Sequence, residues 1–350
     1  MRFIHISDVM LGAVPDADQV WGQTRARELW DSFKRVIDDC NRERVDLLLI
    51  SGNLFARQPI KREIDELNKH LDRLERTQVV ITAGSLDYIR DGSLYAHNAW
   101  ADHVHFVESS TVQCVDIGFL GVKAWGLSSD RPVIRERLFE DVVASSGDDY
   151  DILLISGMDE EHCPADRRML STAGFDYVGI GRAGQADIRE REKNAICGSL
   201  EPVNSDDDGR HGYVLGEIID GRTTLSLVPI AKREYKDIDL KVDRGEDAAD
   251  VSRRLRDMIS LNGNNNIYTV YVSGQVTDVD ALLEELKRCG NVIKVTFEDA
   301  LSADIDRMKA SHQGDIIERF ITLLENDEDE HASEALGVGL MALGENNTRK

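Results

Sequence analysis

Reactive groups in this chain concentrate in five short turns, each at the end of an apolar run. The first three are Ser7-Asp8-Val9-Met10-Leu11-Gly12, Ser51-Gly52-Asn53-Leu54-Phe55 and Ala83-Gly84-Ser85-Leu86-Asp87. The fourth is Ile155-Ser156-Gly157-Met158-Asp159-Glu160-Glu161-His162, and the fifth is Gly179-Ile180-Gly181-Arg182-Ala183-Gly184. Open α/β sheets bind ligands beyond the carboxyl ends of their strands, so acid–base or metal chemistry would sit at these turns. Other candidates are weaker. His162-Cys163 puts a thiol beside an imidazole, but adjacent loop residues rarely align as nucleophile and base, and no third group orients them. Gly337-Val338-Gly339-Leu340-Met341-Ala342 fits the loosest dinucleotide fingerprint without a preceding strand, and reads as helix packing. His97, His103 and His105 have no ligand-like partners, and the basic patches at Lys61-Arg62 and 131–137 lack interleaved aromatics.

The turns need strands to carry them. Arg2–Ser7, Val45–Ser51, Gln78–Thr82, Asp151–Ser156 and Phe175–Gly179 read as strands apolar on both faces, which predicts a largely parallel sheet system covered on both sides. Helices are expected between them at 28–40, where Leu29, Phe33, Val36 and Ile37 share a face, at 60–74, and near 166–173. Tyr213–Ile219 and Thr223–Val228, joined by Asp220-Gly221, read as a hairpin. After Glu234 a strand–helix–strand–helix–strand unit follows. The tail reads as two amphipathic helices, one with Ile316, Ile317, Phe320, Ile321, Leu323 and Leu324, the other with Leu336 to Leu343, joined by the acidic run 325–330.

The chain has 350 residues, enough for one large core and a smaller one, and 41% of them are apolar. Its five cysteines form no C-x-x-C pair, which points to a reducing compartment, the cytoplasm, and away from a disulfide framework. No signal-peptide pattern or membrane-length apolar run is present in the sequence, so no membrane association is expected. The formal net charge is −23, and residues 234–350 hold 14 basic and 25 acidic side chains. Such a field does not draw in long nucleic acid, whose non-specific affinity comes from lysine and arginine displacing counterions.

The five turns, in order and spacing, resemble those of the calcineurin-like metallophosphoesterases, and most of all the SbcD-type DNA-repair exonuclease subunit. Trp21-Gly22, Gly198-Ser199-Leu200-Glu201-Pro202, Asp208-Gly209-Arg210-His211-Gly212-Tyr213 and the segment 228–235 extend the match. The resemblance is close over residues 1 to 235 and looser beyond. It implies a four-layer α/β sandwich, two central mixed sheets flanked by helices, in a phosphoesterase domain at 1–233. A small α/β capping domain at 234–300 and a helical C-terminal segment at 301–350 would follow. It also implies two divalent ions, manganese or magnesium, as the family's cofactor, homodimerisation, and docking of the C-terminal helices on an SMC-like coiled-coil ATPase.

The family pattern at the turns is D-x-H, G-D, G-N-H-D, a histidine after the fourth strand, and G-H-x-H. Two ions about 3.5–4 Å apart need a bridging carboxylate and several imidazoles. Carried over, Asp8 remains, while Met10, Asn53, Ser85, Ser156, Arg182 and Gly184 stand at the other ligand positions and Leu86 at the catalytic histidine. Asp87, Asp159, His162 and His211 match supporting positions, although His211 reads equally as a hydrogen-bonded core histidine. The resemblance therefore implies a pseudo-nuclease with no metal expected. A residual metal-dependent phosphodiesterase, and a non-catalytic binder of nucleic acid or a phosphorylated ligand, remain alternatives. Arg182 either fills the vacated cavity as counter-charge to Asp8 or points to solvent.

Overall fold

A computed structural model describes residues 1–243, 246–274, 279–297 and 314–325. The chain divides into two compact units, Met1–Tyr235 and Lys236–Lys350. The last side chains of the first unit reach back into it. Arg233 Nε donates to Glu28 at 2.9 Å, and the Tyr235 hydroxyl donates to Asp16 at 2.9 Å.

Two six-stranded sheets make up the first unit. In the first sheet, β1 (Arg2–Ile6), β2 (Leu47–Ser51), β3 (Gln78–Thr82) and β4 (Val104–Phe106) run parallel. The antiparallel hairpin of β11 (Gly212–Ile219) and β12 (Arg222–Pro229) extends it beside β1. Asp220 and Gly221 both have positive φ, 49° and 72°, which suits a turn that follows the twist of its strands. The second sheet has the order β5 (Gln113–Ile117), β6 (Val122–Gly126), β7 (Tyr150–Ser156), β8 (Tyr177–Gly181), β10 (Asn194–Ile196), β9 (Asp187–Arg189). Its four inner strands are parallel and its two outer ones antiparallel.

Strand period explains why both faces are apolar. On β2, Leu48 and Ile50 enter the core beneath α1 (Gly22–Arg42) and α2 (Lys61–Leu71), while Leu47 and Leu49 pack against Ile152, Leu154 and Tyr177 of the other sheet. Ile155, Val178 and Ile180 face outward beneath α3 (Arg167–Thr172), with Leu170 and Phe175. These layers are the expected sandwich of two sheets between helices. A polar link spans the sheets: the buried His5 ring lies 2.6 Å from Ser51 Oγ through Nε2 and 2.8 Å from the Tyr177 hydroxyl through Nδ1.

In the second unit, β13 (Tyr235–Val242), β14 (Ile267–Gly274) and β15 (Val292–Phe297) form a three-stranded sheet in that order. Its core joins Leu240, Val270 and Val292 to Leu255 of α4 (Ala248–Asn262) and Leu286 of α5 (Val279–Lys287). A further helix, α6 (Ile316–Glu325), buries Ile317 and Ile321 and exposes Ile316 and Leu323. The second tail helix at 336–343 and all but the first residue of the acidic run lie outside the described residues. Among the described residues, no helix is long and apolar enough to cross a membrane.

The carboxyl ends of the two sheets are in contact, and glycine permits it. A Cβ on Gly181 would stand 1.8 Å from the Ser51 carbonyl oxygen. Gly181→Ala is expected to cost about 3 kcal/mol, the scale of overpacking a dense core. Urea denaturation would read this as a lower midpoint with unchanged slope.

Candidate functional site

The five turns converge at this shared edge. Turn one is tied to turn two by backbone bonds, Asp8 N–H to Gly52 O and Met10 N–H to Asn53 O, both 3.2 Å. Asp8, Met10 and Asn53 all take left-handed backbone, with φ of 47°, 56° and 49°. Such conformations are costly for residues with a Cβ and persist where the surroundings hold them. The fourth turn closes from the other sheet: Ser156 Oγ donates to Ala83 O at 3.3 Å, and Gly157 N–H donates to Gly181 O at 2.6 Å.

At the centre, Asn53 Nδ2 donates to Asp8 Oδ1 at 2.9 Å, while Asn53 Oδ1 accepts from the Leu86 N–H at 3.0 Å. The second bond fixes the amide orientation, since only an oxygen can accept there. Asp87 anchors the third turn from behind. Its carboxylate accepts from Gly84 N–H at 2.7 Å, Phe55 N–H at 3.0 Å and the Tyr95 hydroxyl at 3.1 Å. Tyr95 in turn stacks on Phe106, 5.0 Å between ring centres.

Asp8 is buried, and burial pushes its carboxyl up to about 6 against the opposing bond from Asn53. Burial likewise raises the Asp87 carboxyl despite its three donors. His5, beneath the second turn, is pushed down to about 3 by burial.

The expected Asp8–Arg182 ion pair is not formed. Arg182 is exposed, and the counter-group to Asp8 is the uncharged Asn53 amide. An amide donor answers the carboxylate without a second charge being taken out of water, whereas a buried guanidinium would add its own desolvation cost. Beyond Arg182 the chain turns to the loop at 198, where Gly184 O accepts from Ser199 N–H at 3.1 Å. Met10 is buried, Ser85 is half-buried and Leu86 is 41% exposed at the rim.

The supporting positions fall into two groups. His211 is 2% exposed, with Nδ1 2.9 Å from Ser199 Oγ and Nε2 3.2 Å from the carbonyls of both Asp207 and Asp208. Two carbonyls facing Nε2 require its proton there, so this is a hydrogen-bonded core histidine. Asp159 and His162 form an exposed pair of their own, Nδ1 to Oδ1 2.7 Å. Sequence reasoning missed His5 and Tyr95, which lie outside the five turns and carry no local signal, and it placed Ser51 in the second turn without its bond to His5.

The donor set does not fit a pair of divalent ions. Asn53 turns its NH2, not its oxygen, toward Asp8, and ligation would require breaking both of its bonds. A thioether at Met10, a cationic guanidinium at Arg182 and no side chain at Gly184 occupy further ligand positions. Ser85 and Ser156 offer only neutral hydroxyls, which leaves little charge to hold hard cations. Among the described residues, no three His, Cys, Asp or Glu side chains converge as a metal-holding group.

Residues 1–181 match the family model described as calcineurin-like phosphoesterase. The chain belongs to this family. Its relative in Bacillus subtilis (strain 168), named "Uncharacterized metallophosphoesterase YhaO", is 22% identical over 241 residues, 63% of this chain and 58% of that protein. The chain thus spans under two thirds of that relative's length. Two solved structures are similar at 12% identity each over 65% of this chain. One, TT1561 of Thermus thermophilus, is covered to 98% with a TM-score of 0.38. The other, a dimetal phosphatase from Danio rerio, is covered to 95% with a TM-score of 0.39. At those scores neither bears on the assignment, which rests on the family match.

His5 and Asp8 pull the pH dependence of stability in opposite directions. Between about pH 3 and 6.5 the unfolded His5 binds a proton that the folded one refuses, so stability falls as pH drops through that window. Asp8 holds its proton longer folded than unfolded, so between 3.8 and about 6 stability falls as pH rises. Asp8→Asn should therefore be near neutral at about pH 4 and stabilising by up to about 3 kcal/mol at about pH 7. Denaturant titrations across that range would read the difference, and a constant offset would refute it.

Proposed function

We propose that this chain is a non-catalytic, SbcD-type member of the calcineurin-like family, serving as a structural or assembly subunit. The carrying observation is the donor set at the convergent turns. Asp8 is the one carboxylate left at the ligand positions, it is already bonded to an amide, and Leu86 stands where proton transfer would need an imidazole. The SbcD-type reading rests on the order and spacing of the five turns and on the 198–202 and 208–213 segments.

An assembly role is supported by α6. Ile316 and Leu323 are exposed and Phe320 between them is half-buried, which leaves an apolar stripe open to solvent opposite the buried Ile317 and Ile321. A second copy of the chain or an SMC-like coiled-coil ATPase would be the partner, and the net charge of −23 argues against long DNA. Five free cysteines fit a reducing, cytoplasmic setting.

With Mn²⁺ and a phosphodiester substrate, purified protein should show no turnover above background. Restoring the pattern through Met10→His, Asn53→Asp, Ser85→Asn, Leu86→His, Ser156→His, Arg182→His and Gly184→His should raise Mn²⁺ occupancy. Stoichiometric Mn²⁺ together with turnover in the unaltered protein would overturn the reading in favour of a residual phosphodiesterase. For the assembly role, light scattering and affinity purification of the full chain should find a dimer or a bound coiled-coil ATPase. A monomer that carries neither would remove that part of the proposal.

A further inference from the structure

We propose that Asn53 is a positioning residue that clamps the turns after β1, β2 and β3 together, so that the floor of the site assembles by hydrogen bonding without an ion. The inference concerns what holds the site, and it stands apart from the question of which partner the protein serves. Its basis is the double engagement of one amide. Nδ2 reaches back to Asp8 in turn one at 2.9 Å, and Oδ1 takes the Leu86 N–H of turn three at 3.0 Å. The Asn53 backbone carbonyl holds Met10 N–H as well.

The packing around this amide leaves it little freedom. A Cβ on Gly84 would lie 2.3 Å from Asn53 Oδ1 and 2.6 Å from its backbone nitrogen. Turn three is therefore pressed directly onto the amide. A Cβ on Gly52 would meet Ser156 at 2.5 Å, so turn four closes over the same point. Asp87 ties turn three to turn two through Phe55 N–H, and Asn53 ties it again through the neighbouring Leu86 N–H. The left-handed backbone at Asp8, Met10 and Asn53 is thus held from three sides. In a binuclear centre a bridging cation would draw these turns together by charge; here a neutral donor–acceptor group does so.

The geometry allows a polarity-exchange test, run throughout in chelator at about pH 7.5. Asn53→Asp keeps the acceptor for Leu86 but sets a second carboxylate against Asp8. The melting temperature should drop by about 5 °C or more. Asp8→Asn keeps an acceptor for the Asn53 amide and should not lower it. In the double variant the amide at position 8 can donate to the carboxylate at position 53, and most of the loss should be recovered. Additive losses, or an unchanged melting temperature in Asn53→Asp, would overturn the proposal. Should Asn53→Asp fail to fold, recovery of a folded double variant supports the clamp and its failure counts against it. Independently, Asn53→Ala leaves Leu86 N–H without its acceptor. Hydrogen exchange there should quicken about tenfold, and unchanged exchange would refute the tie.

Discussion

A carboxylate removed from water has to meet donors or opposite charge, and Asp8 meets an amide. Burial costs the ionised group its hydration, and the Asn53 NH2 group returns part of it. The choice of a neutral partner shapes the rest of the edge. Arg182 stays in water, apart from this pair. Because the amide oxygen is free for the third turn, three strand ends share one side chain.

The sheets below serve this arrangement. Leucines on both faces of β2 let it sit between α1 and the opposing sheet, and the glycines at 52 and 181 let two sheet edges touch. His5 adds a polar rivet between the sheets that is kept neutral by its surroundings. A mismatch in either layer would separate the turns, so the site inherits its geometry from the core and not from the loops alone.

The strands apolar on both sides were legible in the sequence, as were the amphipathic helices and the order of the turns, because each rests on a local pattern. α1 begins at Gly22, earlier than its apolar stripe suggests, since the buried Arg25 breaks that stripe and is answered by Glu28 at 2.8 Å. The edge strand β5 was illegible because Gln113, Cys114 and Asp116 face solvent, and β9 and β10 are three residues each, too short for a period to register. At the site, the uncharged amide at position 53 was readable but its two hydrogen bonds were not. One of them depends on an N–H delivered from 33 residues away. The Arg182 pairing failed for the same kind of reason: a charge argument finds plausible partners, and only the path of the backbone decides between them.

The glycine at position 84 bears on which substitutions this edge can accept. Turn three rests on the Asn53 amide, so the side chain at position 53 cannot be exchanged without regard to its neighbours. An aspartate at position 53 would face Asp8 across the short gap that the amide now bridges. A change at one of these contacts is felt at its neighbour, so the edge accepts substitutions in matched sets more readily than singly.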